Sequence, residues 1–304
     1  MSWHPTNQEL DHIVAVLRRR TRKAWAVVHH LGGRSEGAFL VVAGEAKAVL
    51  KVSPDPGWRT RIASAAPSLR RARKAGWPTP RWFAWGSTAN RHFLLQDFVD
   101  GDCLERRLFE GAHVEAVIAL NDAQKGLAPG QFTQRGDGGE RGGGDFTTRS
   151  RALLFEPGHR ARSGLRLFSR RAATALSELE ARVAGMDRVP TRRNDLVHGD
   201  FYQGQLLAVA KDPRKIAVVD VESLGRGCRS YDLATFIMAA GWFEAEAAAL
   251  DRIARRGVAI AGRDAFRLYL AANIVFYAWG GMSGWPAGSV EPFMESRLDL
   301  LDSI

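Results

Sequence analysis

The chain has 304 residues, 45% of them hydrophobic and 25% charged, the balance of an ordinary globular protein with room for two lobes. Two cysteines, Cys103 and Cys228, exclude a disulfide framework and a cysteine metal site, and the longest apolar run, Leu268 to Trp279, is too short to span a bilayer. The net charge of +10 raises the question of nucleic acid, but nearly all of the excess lies in residues 1–100 and the remainder is close to neutral.

Thr6 and Glu9 form a capping box, and Leu10, Ile13, Val14 and Leu17 behind it give a helical stripe. Residues 24–30 read as a strand, followed by the turn Leu31-Gly32-Gly33-Arg34-Ser35-Glu36-Gly37. Residues 38–43 and 47–52 are two more strands, joined around Gly44. Pro54-Asp55-Pro56-Gly57 breaks the pattern. The helical segment that follows contains Pro67, which is expected to interrupt it and start a fresh turn at Ser68. Residues 81–86 and 92–99 form a hairpin across Ser87-Thr88-Ala89-Asn90, giving five strands and one inserted helix.

From Asp102 onward alanine, leucine and arginine dominate, with helical periodicity at 111–127, 163–186, 229–255 and 263–280. Two short strands interrupt, 206–209 and 216–221, flanking a Lys-Asp-Pro-Arg turn. The glycine-rich stretch 129–145 reads as a loop inserted in the helical lobe. The expected fold class is α+β, a small antiparallel β lobe followed by a larger, mainly helical lobe. The boundaries are 1–98 and 102–304, with a hinge at about 96–102.

The chemistry concentrates at the two ends of the hairpin in the helical lobe. His198-Gly199-Asp200-Phe201 is followed by Gln205, five residues past the aspartate, and by Asp220 at the end of the apolar run Ile216 to Val219. This spacing suits phosphoryl transfer. One carboxylate holds the acceptor hydroxyl, while an amide oxygen and a second carboxylate hold magnesium over the phosphates of ATP. A basic first lobe favours the encounter with a nucleoside triphosphate.

His198-Gly199-Asp200-Phe201, Asp220-Val221-Glu222 and Arg229-Ser230-Tyr231-Asp232-Leu233-Ala234 together resemble the aminoglycoside phosphotransferase and choline kinase-like family, distant relatives of protein kinases. The resemblance runs in order along nearly the whole chain. It implies the bilobal protein-kinase-like fold and transfer of the γ-phosphate of ATP or GTP, with Mg2+, to a hydroxyl of a small molecule such as an antibiotic sugar or amino sugar. It implies that Asp200 is the catalytic base. Asp220 and Gln205 become metal ligands, with Glu222 a further candidate. Gln205 stands where the family usually has asparagine. Lys51, on the strand Ala48 to Val52, matches the lysine that contacts the α- and β-phosphates; Gly32, Gly33 and Gly37 match a phosphate-facing turn. The backbone at Asp97 and Val99 matches the hinge that meets adenine. Tyr202, Trp242, Trp279, Trp285, Glu291 and Glu295 are candidates for the acceptor pocket. A cytoplasmic enzyme with no membrane partner is expected, and nucleic acid is not an expected partner.

One departure bears on catalysis. The family usually pairs the strand lysine with a glutamate on the following helix, yet Asp55 is the only acidic residue between Glu45 and Asp97. The alternative reading is therefore a catalytically weak or inactive nucleotide-binding module, like a pseudokinase.

Overall fold

The computed structural model describes residues 5–32, 37–88, 91–106, 109–128, 145–191, 194–209, 212, 215–240 and 245–304. The expected turn at Gly33, the candidate Trp242 and most of the glycine-rich stretch lie outside the described residues.

Helix α1 (Asn7–Thr21) opens on the Thr6 capping box and ends where Arg22 adopts a left-handed conformation. Strands β1 (Ala26–Gly32), β2 (Gly37–Ala43) and β3 (Ala46–Ser53) follow as a meander. Helix α2 (Pro56–Lys74) comes next, and β4 (Trp82–Ser87) and β5 (His92–Asp97) close the lobe. The five strands form one antiparallel sheet in the order β1-β2-β3-β5-β4. Its core alternates along the strands, as a half-covered sheet requires. The stripe Leu10, Ile13, Val14 and Leu17 meets Phe39, Val41, Leu50, Phe93 and Leu95.

Pro67 does not start a new turn. Helix α2 runs through it without a break. Proline costs the bond to the carbonyl one turn back. Here Trp58, Ile62, Ala65, Ala66, Leu69 and Ala72 give the helix one continuous buried face, and that burial holds it together.

The rest of the chain is mainly helical. Strand β6 (Gly101–Cys103) leads to α3 (Gly111–Asp122), α4 (Phe146–Phe155), α5 (Arg160–Phe168) and α6 (Arg170–Arg182). Then come the short strands β7 (Asp195–Val197), β8 (Leu206–Val209), β9 (Ile216–Val218) and β10 (Gly225–Gly227). Helices α7 (Ser230–Ala239), α8 (Ala247–Ala261), α9 (Arg263–Gly284) and α10 (Val290–Ser303) complete it. The expected helix at 163–186 is two helices. Ser169 has extended backbone and caps α6 with its hydroxyl. The expected helix at 229–255 is likewise two, since α7 ends at Ala239 and α8 begins at Ala247.

β8 pairs with β6 and β9, and β10 pairs with β7. The two small sheets bring residues 198–205 and 219–224 to one edge of the helical lobe. The two lobes are stitched together behind that edge. The Val218 N–H donates to the Pro78 carbonyl at 2.8 Å, and Trp77 Nε1 donates to the Leu120 carbonyl at 3.2 Å. Helix α2 also packs against the turn at 221–223. Among the described residues, no helix is long and apolar enough to cross a membrane.

Candidate active site

The loop that follows β7 is built around Asp232, on the first turn of α7. Its buried carboxylate accepts the N–H groups of His198 at 2.7 Å and Gly199 at 2.9 Å, and the side-chain amide of Gln124 at 2.7 Å. Burial raises its pKa, and these three donors offset part of that rise. His198 is wholly buried. Its Nδ1 accepts the Asp200 N–H at 3.2 Å and its Nε2 lies 2.9 Å from the Val219 carbonyl. The ring thus braces the loop that carries Asp200 against the loop that carries Val219.

Gly199 between them has φ +86°, and a Cβ there would lie 2.2 Å from the ring of Phe146. Only glycine satisfies both the left-handed backbone and the close approach.

Asp220 has φ 62° and ψ 44°, the left-handed region that costs a residue with a Cβ. Strand β9 therefore ends at Val218, not at Val221, and the strained residue turns its carboxylate into the cleft. Gln205 joins it to Asp200. Its Nε2 lies 3.0 Å from Asp220 Oδ2 and 3.4 Å from Asp200 Oδ2. The loop itself is held by the Val219 N–H, which donates to the Gln205 carbonyl at 2.9 Å. Asp200, Gln205 and Asp220 thus share one cluster.

From the other lobe, Lys51 on β3 inserts its ammonium between two carboxylates. It pairs with Asp220 Oδ1 and lies 2.8 Å from Glu222 Oε1. Glu222 is a buried carboxylate, not a solvent-facing one. Burial alone would lower the Lys51 pKa, but Asp220 and Glu222 together raise it. Burial would raise Asp220 too, yet the Lys51 charge holds it below the usual carboxylate range. One lysine neutralises one carboxylate, and Glu222 is the partner pushed upward, by burial and by the nearby Asp220 charge.

Asp200 is pushed upward by burial as well, against a hydrogen bond donated by Tyr277 of α9 to its Oδ1. Tyr277 is absent from the sequence-derived site residues. The signal was there: α9 is largely apolar, but Tyr269, Asn273 and Tyr277 recur on it every four residues, which puts three polar groups on one face.

The remaining candidates are placed as follows. Gly32 ends β1 with φ +102°, and Gly37 begins β2, where a Cβ would press on the Phe39 ring at 2.9 Å. The Asp97 N–H is taken by the Arg81 carbonyl at 2.9 Å and its carboxylate accepts the Arg81 N–H at 2.9 Å. Val99 lies half-buried just beyond β5. Glu291 accepts from Ser169 at 2.8 Å and Glu295 pairs with Arg171 at 2.7 Å, so both serve the contact between α6 and α10. Trp285 packs edge-on against Phe293 in the same region. The Arg160 guanidinium covers the ring of Trp279.

A sequence profile described as the phosphotransferase enzyme family matches residues 27–269, a span that holds Lys51, Asp200, Gln205, Asp220 and Glu222. The chain belongs to this family. It is a phosphotransferase with a protein-kinase-like fold. Among solved structures, aminoglycoside phosphotransferase APH(4)-Ia is similar at 16% identity, covering 96% of this chain and 98% of that one with a TM-score of 0.70. A thermostable mutant of that enzyme, in ternary complex with ADP and hygromycin B, is 18% identical over 95% of this chain and 97% of that one, with a TM-score of 0.66. Spectinomycin phosphotransferase APH(9)-Ia, in complex with ADP and spectinomycin, is 8% identical over 96% of this chain and 97% of that one, with a TM-score of 0.63. A comparison with curated protein sequences gives no match.

Proposed function

We propose that this phosphotransferase moves the γ-phosphate of ATP to a hydroxyl of a small hydroxylated molecule, of the aminoglycoside or amino-sugar class. The observation that carries the reading is the cluster of Asp200, Gln205 and Asp220, with Lys51 entering from the β lobe. Residues 1–98 would form the nucleotide lobe and 102–304 the acceptor lobe, hinged at about 96–102.

Asp200 would accept the proton of the acceptor hydroxyl and hold its oxygen toward the γ-phosphorus. Lys51 would leave Asp220 for the α- and β-phosphates. Gly32 and Gly37, with Gly33, would let backbone approach them. The backbone at Asp97 and Val99 would meet adenine.

The donors present fit Mg2+. They are hard oxygens, a carboxylate and an amide, and among the described residues there is no cage of three or more acidic, histidine or cysteine ligands. An ion shared with nucleotide phosphates needs only one or two protein carboxylates. Asp220 and Gln205 would hold it, Gln205 after turning its amide oxygen inward. Glu222 would join once phosphate draws Lys51 away. The ion would neutralise charge on the transferring phosphoryl group.

The family membership and the intact set of Asp200, Asp220 and Lys51 favour an active enzyme over a pseudokinase-like module. The test is an ADP-release screen of the purified protein with Mg2+ and ATP against aminoglycosides, macrolides, hexosamines, choline and amino-acid alcohols, products being identified by mass spectrometry. A phosphorylated product supports the reading. ATP binding with no transfer to any acceptor favours the inactive module.

A further inference from the structure

The two oxygens of the Asp200 carboxylate have different partners. Oδ2 faces Gln205, and through it Asp220, at 3.4 Å and 3.0 Å for the two contacts of the amide. Oδ1 is turned the other way and receives the hydroxyl of Tyr277. Phosphate and cation would gather on the Asp220 side, so Oδ2 is the oxygen that an acceptor hydroxyl must reach. A carboxylate held at one end only can turn about χ2, a broad and soft torsion. Such turning would spoil the line between acceptor oxygen and phosphorus, where small misplacements cost large factors in rate.

The residue that prevents the turning sits on a rigid support. Tyr277 lies on the inner face of α9, two turns after Tyr269 and one after Asn273. Tyr269 Oη lies 3.2 Å from Thr147 Oγ1, and Asn273 Oδ1 accepts the Thr235 hydroxyl at 3.1 Å. Asn273 also donates to the Tyr269 carbonyl at 3.0 Å. This row of polar contacts fixes α9 on α4 and α7, and α7 begins with the loop anchor Asp232. Catalytic loop and tyrosine are therefore referred to the same frame. Burial and the adjacent Asp200 charge push the Tyr277 phenol well above its ordinary pKa, so it remains a neutral donor.

We propose that Tyr277 is a positioning residue for phosphoryl transfer: its hydroxyl holds Oδ1 of Asp200 so that Oδ2 is presented to the acceptor. This rests on Asp200 being the base, and the experiment separates the two claims. The probe is Mg2+ with ATP and water as the acceptor, read as inorganic phosphate released, alongside calorimetric binding of AMP-PNP. Tyr277→Phe removes only the hydroxyl. It lowers kcat by about tenfold, the rate equivalent of one charge-assisted hydrogen bond. KM for ATP, Kd for AMP-PNP and the melting temperature stay at their wild-type values. A wild-type or faster rate in Tyr277→Phe overturns the proposal, as does a loss in which KM, Kd and melting temperature worsen together. Asp200→Asn is measured beside it. If Asp200→Asn is inactive while Tyr277→Phe matches wild type, only the tyrosine's role falls. If Asp200→Asn keeps the wild-type rate, the base assignment itself falls.

Discussion

Lys51 Nζ lies 2.8 Å from Glu222 Oε1, and that ion pair joins the central strand of the β lobe to the turn that follows β9 in the helical lobe. Helix α2 carries no carboxylate along its length. It packs instead against the very turn that supplies Glu222. The lysine is thus held across the cleft, by the lobe that would bind the metal.

Lys51→Met tests this arrangement twice. Nucleotide affinity, measured by calorimetry with AMP-PNP, falls by tenfold or more. Stability falls as well, because the substitution leaves Asp220 and Glu222 facing each other without a cation. The cost is about 2 kcal/mol by urea denaturation, less than for a fully buried pair because the Asp220 side chain is 36% exposed. A variant as stable as wild type would show that the two carboxylates do not depend on Lys51.

Gln205 spans the two aspartates with one amide. Gln205→Leu keeps the volume but removes the amide oxygen, and raises the half-saturating Mg2+ concentration by about tenfold, in the range typical of lost metal-site partners. Gln205→Asn, which restores an amide one methylene shorter, stays within about threefold of wild type on the same scale. Equal Mg2+ dependence in wild type and Gln205→Leu would remove Gln205 from the cation site.

Gly199→Ala is expected to be severe. It combines φ +86° with a Cβ at 2.2 Å from Phe146, so the loop that carries Asp200 must move. The loss is about 3 kcal/mol in stability, read from the urea midpoint, with little phosphotransferase activity left. A stable, fully active Gly199→Ala would show that the loop does not need this backbone conformation.

Burial holds three phenols neutral at alkaline pH. Tyr231 is pushed up to about 12, and Tyr269 and Tyr277 are raised as well. An acid whose pKa is raised on folding stabilises the fold below its unfolded value of about 10 and loses that contribution as pH rises toward the folded value. Ultraviolet titration should therefore show these three tyrosines unionised at pH 11 in the folded protein. They ionise together with unfolding. Smooth ionisation of all four tyrosines near pH 10, with the fold intact, would contradict their burial.

Much of this was legible in the sequence. The five strands of the β lobe follow from alternation and turn residues, and the ordered set Asp200, Gln205, Asp220 follows from spacing on two short loops. What the sequence concealed is instructive. Pro67 looked like a break because proline is a local signal, while the buried face of α2 is set by packing. The absent helix glutamate looked like a missing contact, because nothing in a linear reading says that Glu222, two residues beyond Asp220, folds back onto a strand 171 residues earlier. Tyr277 belongs to a polar row that the α9 sequence displays, but only tertiary packing brings its hydroxyl to Asp200.

Phosphoryl transfer by Asp200 and Asp220 is tested most directly by product formation in a single experiment. Wild type, Asp200→Ala and Asp220→Ala are incubated with γ-labelled ATP, Mg2+ and the aminoglycoside and amino-sugar panel, and label on the acceptor is counted. Label should appear with wild type and fall by about a thousandfold in each variant, within the usual range for loss of a general base or a metal-holding group. Label transferred at the wild-type rate by either variant would contradict the site.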